Sequence, residues 1–306
     1  MTPAERTALL ADFGIDEGAL IGKGLESRVY ALPDGRVLRL SRSGTTHFTD
    51  QRRLKAFLDG LAGHLPFATP EIIELGPKGL WRLERRLPGT SLIERLLRMS
   101  DDRRDEALRN YLGACETLAA VRFDHLPYGH VLAHFPVTTS DWHAFLRETL
   151  SLFVSRNRIT IAHEVGDPYR LADLAADMIV DLPSHPPKSL VHGDYFPGNV
   201  LVGPGLEVTG LVDFGLYTVV GDPVLDIAVA YQTLELIAET SAEDAGFVRD
   251  LAIERHGDGI APSLRFYRAW LAFSMADPAN GKPPYPRMFR WAISMLRLLG
   301  DGRLPV

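Results

Sequence analysis

One stretch of the chain decides the fold. Residues 190–202 read LVHGDYFPGNVLV, and a short distance further on residues 210–215 read GLVDFG. In each segment an apolar run predicts a short buried strand next to an acidic loop. Asp194 lies in the first loop, which ends at Asn199, and Asp213 lies in the second. The sequence therefore predicts two acidic loops, each following a buried strand.

The three polar residues of these loops suit phosphoryl transfer. That reaction needs a carboxylate that orients the attacking hydroxyl, and oxygen ligands for magnesium ions that bridge the phosphates. Asp194 suits the first task, and Asn199 and Asp213 suit the second. Solvated acidic turns after two strands are the alternative interpretation. It is disfavoured because the spacing of several motifs would have to agree by accident.

The motifs resemble those of the aminoglycoside phosphotransferase and choline-kinase-like family, which is similar to protein kinases in fold. The resemblance extends over nearly the whole chain. It implies that Asp194 is the catalytic base or hydroxyl-orienting group and that Asn199 and Asp213 hold Mg²⁺. The matching segments are His192-Gly193-Asp194, Asn199, Asp213-Phe214-Gly215, Gly221-Asp222-Pro223 and Asp226-Ile227-Ala228.

Two further residues of these motifs are interpreted as structural. His192 resembles a family residue that braces the loop by hydrogen bonding, and a satisfied structural histidine is the more common situation. Asp226 lies near the start of a predicted helix, where a carboxylate can cap the helix or support the catalytic loop. Neither residue is counted among the catalytic groups.

The part of the chain before residue 88 predicts a small antiparallel sheet and one helix. The helical pattern covers 48–61, with apolar residues at helix spacing. A Pro-Asp-Gly turn at 33–35 predicts a hairpin. The strand patterns cover residues 19–22, 28–32, 36–40, 72–75 and 80–83.

Beyond Pro88-Gly89 helical patterns dominate. Apolar residues from Leu108 to Leu118 trace one face of a long helix. The stretch from Val121 to Ser140 is rich in Pro, Gly and His and is interpreted as a surface loop. The expected fold is therefore α+β and two-lobed, like that of protein kinases. Residues 1–87 would form the nucleotide-binding lobe, and residues 88–306 the mainly helical catalytic and substrate-binding lobe.

A glycine-rich segment lies in the first lobe. Residues 22–29 read GKGLESRV, which fits Gly-x-Gly-x-x-Gly-x-Val except that Ser27 stands at the third glycine. Alone this signal is weak, because glycine-rich turns occur in many hairpins. Its place between two predicted strands, upstream of the acidic loops, favours a role in binding nucleotide phosphates. Gly22 and Gly24 would offer backbone N–H groups there, and Ser27 a hydroxyl.

Arg39 lies where most relatives of the family place a phosphate-binding lysine. Its planar guanidinium can still bind phosphate oxygens bidentately. The predicted helix offers no glutamate to pair with it, only Asp50, Gln51 and Asp59. The partner of Arg39 is therefore left open, and a solvated strand arginine is the alternative interpretation.

The segment WRLERRLPGTSL at 81–92 resembles the hinge between the lobes of the family. The resemblance implies that backbone groups from Glu84 to Arg86 bind the adenine edge. An exposed strand end is the alternative interpretation. The cofactors implied are Mg²⁺ and ATP, with GTP as the alternative nucleotide.

The composition fits a globular protein with a large core. The chain has 306 residues, of which 46% are hydrophobic and 24% charged, and its formal net charge is −6. No block of Lys or Arg indicates a nucleic-acid or membrane partner, and the acidity slightly favours a cationic small substrate.

Cys115 is the only cysteine and is expected to be an inert buried thiol. No signal segment or apolar span is recognised, so a cytoplasmic location is expected.

The sequence predicts an ATP- and Mg²⁺-dependent O-phosphotransferase that acts on a hydroxyl of a small molecule. An aminoglycoside or aminocyclitol antibiotic is the first candidate. Kinases of choline, macrolides, sugars or amino alcohols are alternatives, as is a nucleotide-binding pseudokinase suggested by Arg39. A protein kinase is disfavoured, because the chain has His-Gly-Asp where such kinases have His-Arg-Asp and lacks Ala-Pro-Glu after Asp213. The sequence does not indicate the oligomeric state.

Overall fold

The computed structural model describes residues 2–24, 27–41, 49–277 and 286–306. Its first part is a five-stranded sheet in the order β1-β2-β3-β5-β4, in which every neighbouring pair is antiparallel. Each strand lies within two residues of its predicted position, so the expected sheet is confirmed. The strands are β1 (Leu20–Lys23), β2 (Ser27–Ala31), β3 (Arg36–Ser41), β4 (Ile72–Leu75) and β5 (Trp81–Arg85).

Two helices accompany this sheet, where the sequence predicted one. Helix α1 (Pro3–Asp12) was not predicted, and it begins with a capping box in which Thr2 and Glu5 satisfy each other's backbone N–H groups. Only Leu10 of this helix is buried, where it packs in a small core with Tyr30 of β2. A ten-residue helix with one buried side chain has too weak an apolar pattern to be recognised from its sequence.

Helix α2 (Gln51–Leu61) is the predicted helix, although Phe48 lies outside the described residues. Asp50 caps it by accepting the backbone N–H groups of Arg52 and Arg53, each at 3.0 Å. The same end of the helix is tied to the second lobe, because the Asp50 N–H donates to the Leu132 carbonyl at 3.1 Å. The helix therefore connects the two lobes.

The second lobe is mainly helical, as predicted. Helices α3 (Leu92–Leu96) and α4 (Asp101–Leu118) come first along the chain. The central helix α7 (Val224–Leu236) is buried on nearly every face because α8 (Ala242–His256) and α9 (Ala261–Met275) pack against it. The remaining helices are α5 (Trp142–Glu164), α6 (Pro168–Met178) and α10 (Pro286–Gly300).

Two small antiparallel sheets in this lobe carry the acidic loops. One has the strand order β11-β10-β6 and the other β8-β7-β12-β9. The buried strands predicted before the two acidic loops are confirmed as β9 and β11, and β10 follows the first loop. The seven strands are β6 (Thr90–Ser91), β7 (Tyr128–His130), β8 (Thr138–Thr139), β9 (Ser189–Val191), β10 (Val200–Val202), β11 (Val208–Leu211) and β12 (Val219–Gly221).

The interpretation of residues 121–140 as a surface loop is wrong for part of this stretch. Strands β7 and β8 lie within it, and β12 pairs with β7 on one side and with β9 on the other. Tyr128 and Leu132 are buried. These strands contain only two or three residues each, and β7 pairs with β12, a distant strand that local sequence patterns do not reveal.

The core of the second lobe includes large aromatic side chains. Trp270, Phe273 and Trp291 are each at least nine-tenths buried. Cys115 is a buried free thiol, as expected. Among the described residues, no helix combines the length and the apolar character that crossing a membrane requires.

Candidate active site

A buried carboxylate from α7 holds the loop that follows β9. Asp226 accepts the backbone N–H of His192 at 2.6 Å and that of Gly193 at 2.8 Å. Burial raises the pKa of Asp226 to about 7, although the two hydrogen bonds act in the opposite direction. This contact is the loop support that the sequence suggested for Asp226.

The His192 side chain braces the same loop. Its Nε2 lies 2.9 Å from the Val212 carbonyl oxygen, and its Nδ1 accepts the Asp194 N–H at 3.3 Å. The ring packs edge-on against Phe214, with the ring centres 4.6 Å apart. Burial lowers the pKa of His192 to about 4. The residue is therefore a neutral structural histidine that connects the two acidic loops.

Asp194 and Asn199 are hydrogen-bonded to each other within the first loop. The Asn199 side-chain amide donates to the Asp194 backbone carbonyl at 2.9 Å and to its carboxylate at 3.1 Å. The backbone carbonyl of Asn199 accepts the N–H of Val212, which directly precedes Asp213. The structure thus brings together the three residues that the sequence assigned to catalysis and to Mg²⁺.

Two buried tyrosines fix the back of the first loop. The Tyr111 hydroxyl of α4 donates to the Tyr195 carbonyl at 2.9 Å, and the Tyr195 hydroxyl donates to the Tyr111 carbonyl at 2.7 Å. Both side chains are fully buried. Because each donates to the backbone of the other, the loop next to Asp194 is fixed to a long helix.

The loop requires glycine between His192 and Asp194. Gly193 has a φ of +77°, in the left-handed region that side chains disfavour. A Cβ there would also lie 2.0 Å from the Tyr217 carbonyl oxygen. Because of these two constraints, a residue larger than glycine between His192 and Asp194 would collide with the second loop.

Arg39 of β3 lies in the cleft between the lobes. Its Nη1 donates to the Asp213 carboxylate at 2.5 Å and to the Ser27 hydroxyl at 3.1 Å. Its Nε lies 3.4 Å from a carboxylate oxygen of Glu84. The Arg39 side chain is only 11% exposed, so it is not the solvated strand arginine of the alternative interpretation.

The charges around Asp213 keep its carboxylate ionised. Desolvation by the surrounding protein raises the pKa of Asp213, but the guanidinium groups of Arg39 and Arg82 outweigh it and hold the pKa below its ordinary value. The backbone of Asp213 also has a positive φ, of 65°. Asp tolerates this conformation better than most residues. An anionic oxygen donor is thus presented at neutral pH.

The glycine-rich segment lies beside Arg39. Gly22 lies in β1, and the Gly24 N–H donates to the Ser27 carbonyl at 2.9 Å, which closes the turn between β1 and β2. Leu25 and Glu26 lie outside the described residues. Ser27 joins this turn to the cleft, because its hydroxyl accepts a hydrogen bond from Arg39.

The predicted hinge residues have different surroundings. The Glu84 side chain is 4% exposed and accepts a hydrogen bond from Arg82. The Arg86 N–H donates to the Gly35 carbonyl at 3.2 Å. Within the described part of the chain, the N–H of the next residue, Leu87, makes no hydrogen bond. The Leu87 N–H is therefore more readily available than the Arg86 N–H as a hydrogen-bond donor to a ligand such as adenine.

Residues 17–270 match the phosphotransferase enzyme family. The chain belongs to this family. The match covers most of the chain and confirms the prediction of a small-molecule kinase. No curated protein matches this phosphotransferase.

Solved structures of aminoglycoside phosphotransferases have the same fold as this phosphotransferase. APH(4)-Ia, as a thermostable mutant in ternary complex with AMP-PNP and hygromycin B, is 18% identical, with a TM-score of 0.72 over 98% of this chain and 100% of that one. Its complex with ADP and hygromycin B is 17% identical, with a TM-score of 0.70 over all of both chains. APH(2″)-IIia with GDP and kanamycin is 16% identical, with a TM-score of 0.65 over 98% and 99%. The two-lobed, kinase-like fold is therefore confirmed.

The donor set of the phosphotransferase fits Mg²⁺. Among the described residues, the Asn199 amide oxygen accepts no hydrogen bond, so it can serve as a ligand beside the ionised Asp213. No group of three or more His, Cys, Asp or Glu residues in the described ranges could hold a metal by itself. Mg²⁺ commonly takes one or two protein ligands and completes its shell with water and phosphate oxygens.

Sequence reasoning missed that Glu84 is the partner of Arg39. Arg39 on β3 and Arg82 on β5 are direct cross-strand neighbours. Like charges at such positions are destabilising unless an acidic group neutralises them. Glu84 lies two residues after Arg82 and therefore on the same face of β5. This pattern of two arginines and one glutamate was the available signal, but it needed the strand order to be recognised.

Proposed function

We propose that this phosphotransferase transfers the γ-phosphoryl group of ATP, with GTP as an alternative donor, to a hydroxyl of a small molecule in a Mg²⁺-dependent reaction. The observation that carries the proposal is that Asp194, Asn199, Asp213 and Arg39 converge between the lobes. Phosphoryl transfer depends on such positioning and on neutralising charge, because the reacting groups themselves need little covalent help.

Each group in the cleft has a proposed task. The Asp194 carboxylate orients the acceptor hydroxyl and takes its proton, while the Asn199 amide fixes that carboxylate by the 3.1 Å hydrogen bond. Asn199 and Asp213 hold Mg²⁺, which when bound neutralises charge on the phosphate oxygens. Arg39 and the Ser27 hydroxyl bind the phosphates, whereas the Gly24 N–H already donates to the Ser27 carbonyl.

The adenine would lie against the segment that joins the lobes. The carbonyl groups from Glu84 to Arg86 and the N–H of Leu87 are the proposed contacts, since the Arg86 N–H already donates to Gly35. We place the nucleotide-binding lobe at residues 1–87 and the substrate-binding lobe at 88–306. A cytoplasmic location, where nucleoside triphosphates are available, is part of the same proposal.

An aminoglycoside or aminocyclitol is the first candidate for the acceptor. Structures of similar fold contain hygromycin B or kanamycin, and the net charge of −6 favours a cationic ligand. Fold similarity alone does not decide among acceptors. Choline, macrolides, sugars and amino alcohols are therefore tested beside the antibiotics.

A nucleotide-binding pseudokinase is the second candidate function. It was suggested by the absence of a glutamate partner for Arg39 on the predicted helix. The ion pair with Glu84 removes much of that reason, because Arg39 has a buried counter-charge from another element. Nucleotide binding that is independent of Mg²⁺, with no ATP turnover on any acceptor, is the result that would favour a pseudokinase.

The deciding experiment incubates the purified protein with ATP or GTP, Mg²⁺ and a panel of these acceptors, and detects phosphorylated product by mass. Asp194→Asn is run in parallel and is expected to form no product while it retains nucleotide binding. Asp250→Asn removes a carboxylate from the surface of α8 and serves as the matched control. Equal losses of nucleotide binding and turnover in Asp194→Asn would contradict the role proposed for Asp194.

A further inference from the structure

Two arginines face each other across the first sheet, next to the proposed phosphate site. Arg39 of β3 is paired in register with Arg82 of β5. Their side chains are 11% and 13% exposed, so water screens little of their repulsion. Such a pair requires an acidic neighbour.

Glu84 is that neighbour. Its carboxylate is 4% exposed, accepts a hydrogen bond from Arg82 Nε and lies 3.4 Å from Arg39 Nε. Both contacts involve the same oxygen, Oε1. One buried negative charge therefore serves two buried positive charges, and the cluster as a whole keeps a positive charge next to Asp213.

The acidic and amide residues of α2 have other partners. Asp50 caps the helix, and Asp59 pairs with Lys55 on its surface. The Gln51 side-chain carbonyl accepts a hydrogen bond from Arg82 at 2.7 Å. The helix thus contacts the arginine cluster through Arg82, whereas the carboxylate closest to Arg39 Nε comes from the sheet.

We propose that Glu84 is the positioning residue for Arg39, in place of an acidic residue on the helix. This inference rests on the proposed function, since it assigns Arg39 to the nucleotide phosphates. Glu84 and Arg39 Nε form an ion pair without a hydrogen bond, so Glu84 attracts the guanidinium from the Nε side while Nη1 faces the cleft. In this structure Nη1 contacts Asp213 and Ser27, and phosphate oxygens compete for the same donor.

Because Glu84 belongs to the sheet, the backbone of the sheet determines where Arg39 is held. Strands β3 and β5 are neighbours in a five-stranded ladder, so the distance between Arg39 and Glu84 is fixed by backbone hydrogen bonds. Among the described residues, α2 contacts the arginine cluster through the hydrogen bond between Gln51 and Arg82, so a displacement of α2 reaches Arg39 through Arg82. The position of Arg39 is therefore determined mainly by the sheet, and α2 has a secondary influence.

A double-mutant cycle on nucleotide binding tests this proposal without any acceptor. Affinities for Mg²⁺ with a non-hydrolysable ATP analogue, and for adenosine, are measured by calorimetry for wild type, Glu84→Gln, Arg39→Met and the double variant. Glu84→Gln should weaken binding of the analogue by about tenfold and that of adenosine by less than about twofold. In the Arg39→Met background it should add less than about twofold.

Controls separate positioning from general damage to the sheet. Glu71→Gln removes the exposed ion pair of Glu71 with Arg85 on the same sheet and should leave both affinities unchanged. Gln51→Ala should weaken binding of the analogue less than Glu84→Gln does. If Glu84→Gln fails to fold, Arg82→Met with Glu84→Gln balances the charge and is compared with Arg82→Met alone.

Four results would overturn the assignment. Effects of Glu84→Gln and Arg39→Met that add in full, or equal losses for adenosine and the analogue, would make Glu84 a purely structural residue. A loss in Gln51→Ala as large as that in Glu84→Gln would return the positioning role to the helix. Wild type that binds adenosine but gains nothing from the triphosphate would overturn the proposed function itself, and the inference with it.

Discussion

Arg39 donates a hydrogen bond to Asp213 across the cleft, with 2.5 Å between Nη1 and Oδ1. The two residues are 174 positions apart in the chain and belong to different lobes. Together they place one positive and one negative group at the proposed position of the Mg²⁺ and the phosphates. Each of these two residues neutralises the charge of the other.

The first prediction concerns the metal. Asp213→Asn keeps a residue that tolerates the positive φ but removes the anionic ligand. We expect the gain in nucleotide affinity that Mg²⁺ gives wild type to fall by at least about tenfold, while affinity without Mg²⁺ does not fall, because the neutral amide competes less with phosphate oxygens for Arg39. Calorimetric titrations with and without Mg²⁺ measure both quantities. Asp34→Asn, in an exposed hairpin turn, is the control, and an unchanged Mg²⁺ effect in Asp213→Asn would exclude Asp213 as a ligand.

The second prediction concerns the backbone of the catalytic loop. Gly193→Ala introduces both a strained φ and a collision with the Tyr217 carbonyl, whereas Gly14→Ala introduces the strain alone, because nothing lies within 4 Å of its Cβ. We expect Gly14→Ala to cost roughly 1 kcal/mol of unfolding free energy. Gly193→Ala should cost at least about 2 kcal/mol more, or abolish turnover by displacing Asp194. Denaturant unfolding and turnover assays measure the two effects, and equal costs at both sites would show that the loop adapts.

The third prediction concerns pH. The raised pKa of Asp226, about 7, means that the folded state holds a proton that the unfolded state releases above about pH 4. Its contribution to stability is therefore present at low pH and is lost as the pH rises through about 7. The lowered pKa of His192, about 4, has the opposite effect, because the unfolded state binds a proton up to about pH 6.5. The two contributions nearly cancel between about pH 5 and 6.5.

Removing the titrating group of His192 should reveal the pH dependence that Asp226 gives to the unfolding free energy. In His192→Gln the unfolding free energy should fall with rising pH about 1 kcal/mol per pH unit more steeply than in wild type, between about pH 5 and 6.5. Urea unfolding at a series of pH values measures this slope. His163→Gln, on an exposed histidine of α5, should leave the slope of wild type unchanged. A slope equal to that of wild type in His192→Gln would contradict the assigned pKa of His192.

The fourth prediction concerns the Gly-Asp-Pro motif. The Tyr267 hydroxyl is fully buried, donates to the Asp222 carboxylate at 2.6 Å and accepts a hydrogen bond from the Trp142 indole at 2.9 Å. Tyr267→Phe leaves both groups without this partner and should cost about 3 kcal/mol of unfolding free energy. Tyr169→Phe, at an exposed site, should cost less than about 0.5 kcal/mol.

The same variants separate structure from catalysis. Well below its unfolding temperature, Tyr267→Phe should keep the turnover number of wild type within about twofold, because no group in the cleft is removed. Thermal unfolding and turnover at low temperature measure the two effects. A stable Tyr267→Phe protein with severely reduced turnover would instead give this motif a direct role in the reaction.

The sequence was sufficient for elements whose pattern is local. The five strands of the first sheet and α2 were predicted because alternating or helical apolar residues repeat within one element. Helix α1 was missed because it buries a single residue, Leu10. Strands β7 and β8 were missed because each has only two or three residues and β7 pairs with the distant strand β12. Local patterns thus predicted the elements whose apolar residues repeat within the element itself.

In the candidate site as well, some relationships could be predicted from the sequence and others could not. Asp194 and Asn199 lie in one short loop, and Val212, which precedes Asp213, donates to the Asn199 carbonyl. Their proximity follows from spacing alone, since the hairpin of β10 and β11 lies between them. The partner of Arg39 did not follow from spacing, because it required knowing that β5, and not α2, supplies the neighbouring carboxylate.

The sequence by itself determined the family, the two acidic loops and the glycine at position 193. These depend on residue type and short separations, which the covalent chain fixes directly. Only the tertiary structure decided that Glu84 lies between Arg39 and Arg82, that Asp226 supports the loop after β9 instead of capping its helix, and that burial shifts the pKa values of Asp226 and His192. The physical reason is that partnership and desolvation depend on which distant elements pack together, and packing is a property of the whole chain.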